Sequence, residues 1–120
     1  MVEAAKTGGL VLDLQVIRPN PRLEVDGRFI CELDGEPLFA KADAAAAAVD
    51  AAVAAGQLVE EAVDDHDVLK HYTDGADFLD DWEPSERRPL GKTTTELREI
   101  ARPCQMRDRC RLRRLRVTRS

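Results

Sequence analysis

The dipeptide Asp26-Gly27 lies between Leu23 and Val25 on one side and Phe29, Cys31 and Leu33 on the other. A two-residue turn of type I′ needs positive φ at both central positions. Asp-Gly meets that need at low cost, so alternating apolar runs around it predict a tight antiparallel hairpin. Upstream, Leu10, Leu12, Leu14 and Val16 recur at every second residue up to Pro19-Asn20-Pro21. That period predicts a strand over 10–17 with one apolar face, stopped by residues that cannot extend a ladder. After a second Asp-Gly at 34–35, Leu38 and Ala40 continue the alternation, and Pro37 marks an edge strand. The expectation is an antiparallel β-meander of three to four strands near 10–17, 22–25, 28–33 and 37–41.

Asp43 then opens an alanine run, Ala44 to Ala55, closed by Gly56. Asp is a good N-cap, alanine is the best helix former, and glycine ends helices. Val49 and Val53 mark the face to be buried. The fold class expected is α+β, with the meander packed by this Ala-rich helix. Leu58–Val63 fits helix or strand. Short acidic helices are expected around Val68–Tyr72 and Phe78–Trp82 from their helical spacing. A linker follows over 84–89. Thr93 with Glu96 forms a capping box for a last short helix that stops before Pro103. The element order over residues 22–55, with the turn at Asp34-Gly35 and the helix after Asp43, resembles the C-terminal part of double-stranded RNA-binding domains and the arm-binding domains of phage integrases. Those families hold phosphates with basic residues at the helix start or on the sheet, whereas alanines follow Asp43 here.

The net charge of −5 hides a division. Residues 1–96 carry 21 acidic and 9 basic side chains, whereas residues 97–120 carry 9 basic and 2 acidic. Such asymmetry predicts a charged tail that meets an acidic partner. The organisation expected is therefore a flexible leader at 1–9, a single α+β domain at 10–102 and a basic flexible tail at 103–120. In 120 residues two independent cores are not expected. No run approaches the ~20 apolar residues of a membrane-spanning helix, and the N-terminus lacks a signal-peptide pattern, so a cytoplasmic chain with no membrane partner is expected. Three cysteines, an odd number, fit a reducing compartment. Arginine outnumbers lysine 14 to 4, and with abundant alanine this suits a GC-rich bacterial or phage source.

Few constellations carry chemistry. His66, Asp67 and His71 lie in an acidic stretch, but the two histidines diverge on a helix, and no metal site is assigned. Cys104 and Cys110 lack zinc-type spacing, and Cys31 alternates with Phe29 and Leu33 as a core residue would. No nucleophile elbow or phosphate loop is present, so no catalytic residue and no cofactor are assigned. The main candidate is the acidic segment 60–86, where Tyr72, Asp74, Asp77, Asp80, Asp81 and Trp82 would form a partner-binding surface with aromatic anchors. The second is the tail, where Arg107, Arg109, Arg111, Arg113, Arg114 and Arg116 would hold phosphate or an acidic partner. The function expected is a non-catalytic protein-protein interaction module: an adaptor, inhibitor or immunity-type protein. The alternatives are a nucleic-acid-associated regulator using the tail, or a small enzyme or metal-binding protein. A protein partner is expected first, with nucleic acid or a homo-oligomer as further possibilities.

Overall fold

The structure is a computed structural model that describes residues 7–82 and 88–118. It is built on one antiparallel sheet of six strands, not a meander of three or four. The strands are β1 (Leu10–Val16), β2 (Arg22–Val25), β3 (Arg28–Leu33), β4 (Leu58–Tyr72), β5 (Pro89–Leu90) and β6 (Cys104–Val117). The helices are α1 (Glu36–Ala54), α2 (Gly75–Trp82) and α3 (Thr94–Arg98).

The expected tail is the centre of the sheet. Along one side of β6 runs the whole of β4, from Leu58↔Val117 to Tyr72↔Cys104. Along the other side lie β1, opposite 110–116, and β2, opposite 104–107. The hairpin β2–β3 and the short β5 extend the sheet from there. At the turn, Asp26 and Gly27 take φ of 52° and 76°, as a type I′ geometry requires. Even the leader is tied to the tail, because Gly8 N donates to Val117 O and Val117 N donates to Gly9 O. Residues 1–6, residues 83–87 (which include 84–87 of the expected linker at 84–89) and Arg119 lie outside the described residues.

The strand expected at 37–41 is instead the start of α1. Gly35 N donates to Asn20 Oδ1 and Glu36 N to Asp34 Oδ1, which satisfies amides that an opening helix leaves unpaired. Pro37 falls in the first turn, where its missing N–H costs nothing. The buried residues are Phe39, Ala42, Val49 and Ala52, a helical spacing, and not Leu38 and Ala40. This helix packs mainly on β1 and β4, so the arrangement departs from the resemblance drawn over 22–55.

Residues directly opposite on neighbouring strands share a face, and successive residues alternate. Leu115 and Val117 therefore lie on one face of β6, Cys104 and Met106 on the other. The first pair packs with Val11, Leu58 and the α1 residues Val49 and Ala52. The second pair packs with Leu23, Cys31, Leu33, Phe78 and Leu79 of α2, and Leu97 of α3. The sheet thus carries its helices on opposite faces at opposite ends, and the molecule measures 53 × 22 × 21 Å. Among the described residues, each end keeps one face without a helix. Among the described residues, no helix is long and apolar enough to cross a membrane.

Candidate functional site

The expected acidic helical surface divides once folded. Asp64, Asp65 and Asp67 belong to β4, not to a helix. In α2, Phe78 is fully buried, with Tyr72 edge-on at 5.3 Å and Trp82 stacked at 5.9 Å. Tyr72 and Trp82 are partly buried and pack against the same core. The acids around them serve local structure. Asp74 Oδ1 accepts from Asp77 N, Asp77 Oδ2 from Thr73 N, and Asp81 Oδ2 from Tyr72 Oη at 2.7 Å. Burial and the bond to Asp81 push the Tyr72 phenol well above its usual range. Asp80 is exposed at the surface of α2.

The six expected tail arginines are all engaged within the molecule. Arg107 holds Asp67 at 2.9 Å and Glu24 at 3.3 Å, and Arg109 takes the other oxygen of Asp67. Arg111 grips Asp65 with two nitrogens, at 2.8 and 2.9 Å. Arg113 reaches Glu60 at 2.6 Å and Asp50 of α1 at 2.9 Å. On the opposite face, Arg114 and Arg116 share Glu61, the extra residue at a bulge in β4. Hydrogen bonds from these guanidiniums hold Asp65, Asp67 and Glu61 below the ordinary carboxylate range. This ladder turns the two charge-segregated halves of the sequence into cross-strand partners.

The remaining expected chemistry does not assemble. His66 lies opposite Cys110 and His71 opposite Gln105, positions that point to opposite faces of the sheet. His66 Nδ1 is 3.0 Å from Asp64 Oδ2. Among the described residues, no group of three or more His, Cys, Asp or Glu side chains is placed to hold a metal ion. Cys31, Cys104 and Cys110 are buried free thiols. Burial, with Asp74 and Asp77 nearby, raises Cys104 to about 11, away from the reactive thiolate range.

What stands out is β1. Leu10, Leu12 and Leu14 are 44%, 57% and 55% exposed and form one row on the face away from α1. Leu14 and Leu112 face each other across the ladder and extend this apolar strip inward. Among the described residues β1 pairs with β6 alone, so its outer backbone edge is open. The alternation that revealed this strand also held the signal, since its apolar residues need not face inward. On its other face lie Val11, Asp13 and Gln15. There a cleft of about 340 Å³ runs between α1 and the sheet, lined by Asp13, Asp50, Glu60, Arg111 and Arg113 among others.

Comparison with known proteins gives no match of any kind: no family model, no curated protein and no solved structure. The described residues define the chain only as a small α+β protein with an exposed leucine row on an edge strand.

Proposed function

We propose that this chain is a non-catalytic protein-binding module that takes an extended partner segment onto the open edge of β1. The observation that carries this reading is the leucine row on an edge strand. Native sheets blunt their edges with charge, proline or cover. β4, the other long edge, follows that rule by setting Glu60, Glu61, Asp64, Asp65, Asp67 and Lys70 among its exposed Val59, Val63 and Leu69. β1 does not, because four of its seven residues are solvent-facing or partly covered apolar side chains. An added strand would gain backbone hydrogen bonds along the edge and bury the leucines, the recurring mode of β-augmentation. Each leucine is about half exposed, so each contributes ~1 kcal/mol when covered. The internal pairing of all six candidate arginines favours a protein segment over a nucleic-acid backbone as partner.

The test is selection of extended eight- to ten-residue peptides against the full chain. Selected peptides should carry apolar residues at alternate positions. Leu12→Asp should weaken their binding at least tenfold, and methylating alternate backbone nitrogens of the peptide should abolish it. Because Leu12 is exposed, its substitution should leave the melting temperature unchanged. Peptides that bind a folded Leu12→Asp variant as well as the parent chain would refute the reading.

A further inference from the structure

The cleft beside β1 contains a carboxylate that makes no direct ion pair among the described residues, although Arg111 and Arg113 line the same cleft. Asp13 is only 3% exposed. Its Oδ1 accepts from the neutral Gln15 amide at 3.0 Å. Arg113 is the residue directly opposite Asp13 on β6, yet its guanidinium turns to Glu60 and Asp50. Arg111 turns to Asp65. Buried carboxylates ordinarily pair with a cation, because desolvating the charge alone is costly. The other acids of the cleft are committed as well: Asp43 holds Arg18, and Asp50 and Glu60 share Arg113. Val16, Ile17, Ala42, Ala46 and Val63 supply apolar walls, suited to the aliphatic stem of a long basic side chain.

Position makes this cleft more than a polar hollow. Asp13 belongs to the strand whose outer edge is open. On a strand added to β1, the residue opposite Asp13 would project to the same face, with its Cβ about 4.5–5.5 Å from that of Asp13. Its neighbours would project to the leucine face. We infer that the segment taken by β1 alternates apolar and basic residues, and that a lysine or arginine opposite Asp13 seats in the cleft between α1 and the sheet. This inference rests on the strand-addition reading and names the chemistry of its partner. On its inner side β1 already meets one such pair of contacts from β6, with Leu112 opposite Leu14 and Arg113 opposite Asp13, while Arg114 and Arg116 lie opposite Leu12 and Leu10. A second copy of the chain is a poor occupant. Antiparallel self-pairing about Leu12 or Asp13 would bring the partner's own Asp13 onto the acid-bearing face.

The experiment uses labelled nine-residue peptides with leucine at alternate positions and a single variable residue on the other face. The central residue is lysine, serine or glutamate, and binding to the full chain is followed by fluorescence anisotropy at low and moderate salt. The lysine peptide should bind about tenfold more tightly than the serine peptide, and the glutamate peptide more weakly than either. Moving the lysine one position, onto the leucine face, should erase its advantage. Asp13→Asn should erase it too, while leaving the serine peptide's affinity intact. A buried acid with no direct ion pair contributes little to the free fold, so Asp13→Asn should melt at or above the temperature of the parent chain.

Equal binding of the three peptides, or a lysine preference that survives Asp13→Asn, would overturn the inference while strand addition stands. So would a fall of several degrees in the variant's melting temperature, which would make Asp13 a structural partner. If no peptide binds, or Leu12→Asp binds them all unchanged, the strand-addition reading fails first. A concentration-dependent dimer in sedimentation that Leu12→Asp abolishes would place a second copy on the edge and overturn the basic-segment proposal.

Discussion

Removing residues 104–120 should unfold the whole chain, although by composition they read as a dispensable basic end. Among the described residues, β1 and β4 have no ladder partner except β6. The cut also removes Met106, Leu115 and Val117, each at most 4% exposed and divided between the two cores. Burial of a full aliphatic side chain contributes ~1.5–3 kcal/mol, so these three alone account for ~5–9 kcal/mol. A chain of this length has ~6–18 kcal/mol of net stability at the usual ~0.05–0.15 kcal/mol per residue. The loss of strand pairing comes on top. A milder version isolates one contact: Leu115→Ala should cost ~3 kcal/mol and lower the melting temperature by about 10–15 °C. Far-UV circular dichroism with thermal melts would follow both variants. A truncated chain that keeps a cooperative transition within a few degrees of the parent would refute the central placement of β6.

Other consequences follow from individual residues. A Cβ on Gly75 would overlap Leu97 O and stand 2.9 Å from Leu97 C, so Gly75→Ala must push α2 off α3. Its cost should be ~3 kcal/mol, read from urea unfolding midpoints. Glu24 is 7% exposed, and its carboxyl is held below the usual range by the hydrogen bond from Gln105 and then by Arg107. That stabilisation is complete above the unfolded value of about 4.3 and is lost as pH falls through the lower folded-state value. Urea midpoints measured from pH 7 to pH 3 should therefore drop less in Glu24→Gln than in the parent chain. Arg113 is 11% exposed and bridges α1 to β4, whereas Arg111 is 47% exposed. Arg113→Ala should cost ~1–2 kcal/mol. Arg111→Ala should cost under ~0.5 kcal/mol, and equal costs in chemical denaturation would contradict the geometry.

Local signals were legible where the chain answers to its immediate neighbours. The turn at Asp26-Gly27 has the positive φ values its residues favour, and Thr93 with Glu96 closes a capping box on α3. Gly56, at φ +75°, follows the end of α1. The start of α1 was misplaced because Leu38 and Ala40 mimic a strand period, while the amide partners at Asn20 and Asp34 appear only in three dimensions. For Leu58–Val63 the sequence fits helix or strand, but the rest of β4 and all of β6 are illegible for a non-local reason. Val68, Leu69 and Tyr72 have helical spacing, and arginine at every second position resembles a solvated terminus. Each segment becomes a strand because the other lies beside it, more than thirty residues away in sequence. The open edge of β1 was hidden by a correct period read with the usual assumption that its apolar side faces inward.

The charge asymmetry of the sequence has its explanation in that same pair of strands. Sliding β4 by one residue would turn Asp65 and Asp67 away from Arg111, Arg109 and Arg107, since a one-residue shift moves every side chain to the other face. Exposed ion pairs add little stability singly, but a ladder of them disfavours the shifted register. This matters most between the two cores, where the ribbon carries no buried apolar residue of β4 to fix its alignment: from Val59 to Leu69, every residue of that strand is exposed or only partly covered. The same carboxylates line the outer edge of the sheet with charge and protect it from strand addition. The ladder therefore leaves the two long edges unequal. One is closed by the acids that hold the arginines, and the other, at β1, keeps its leucines and its buried acid available.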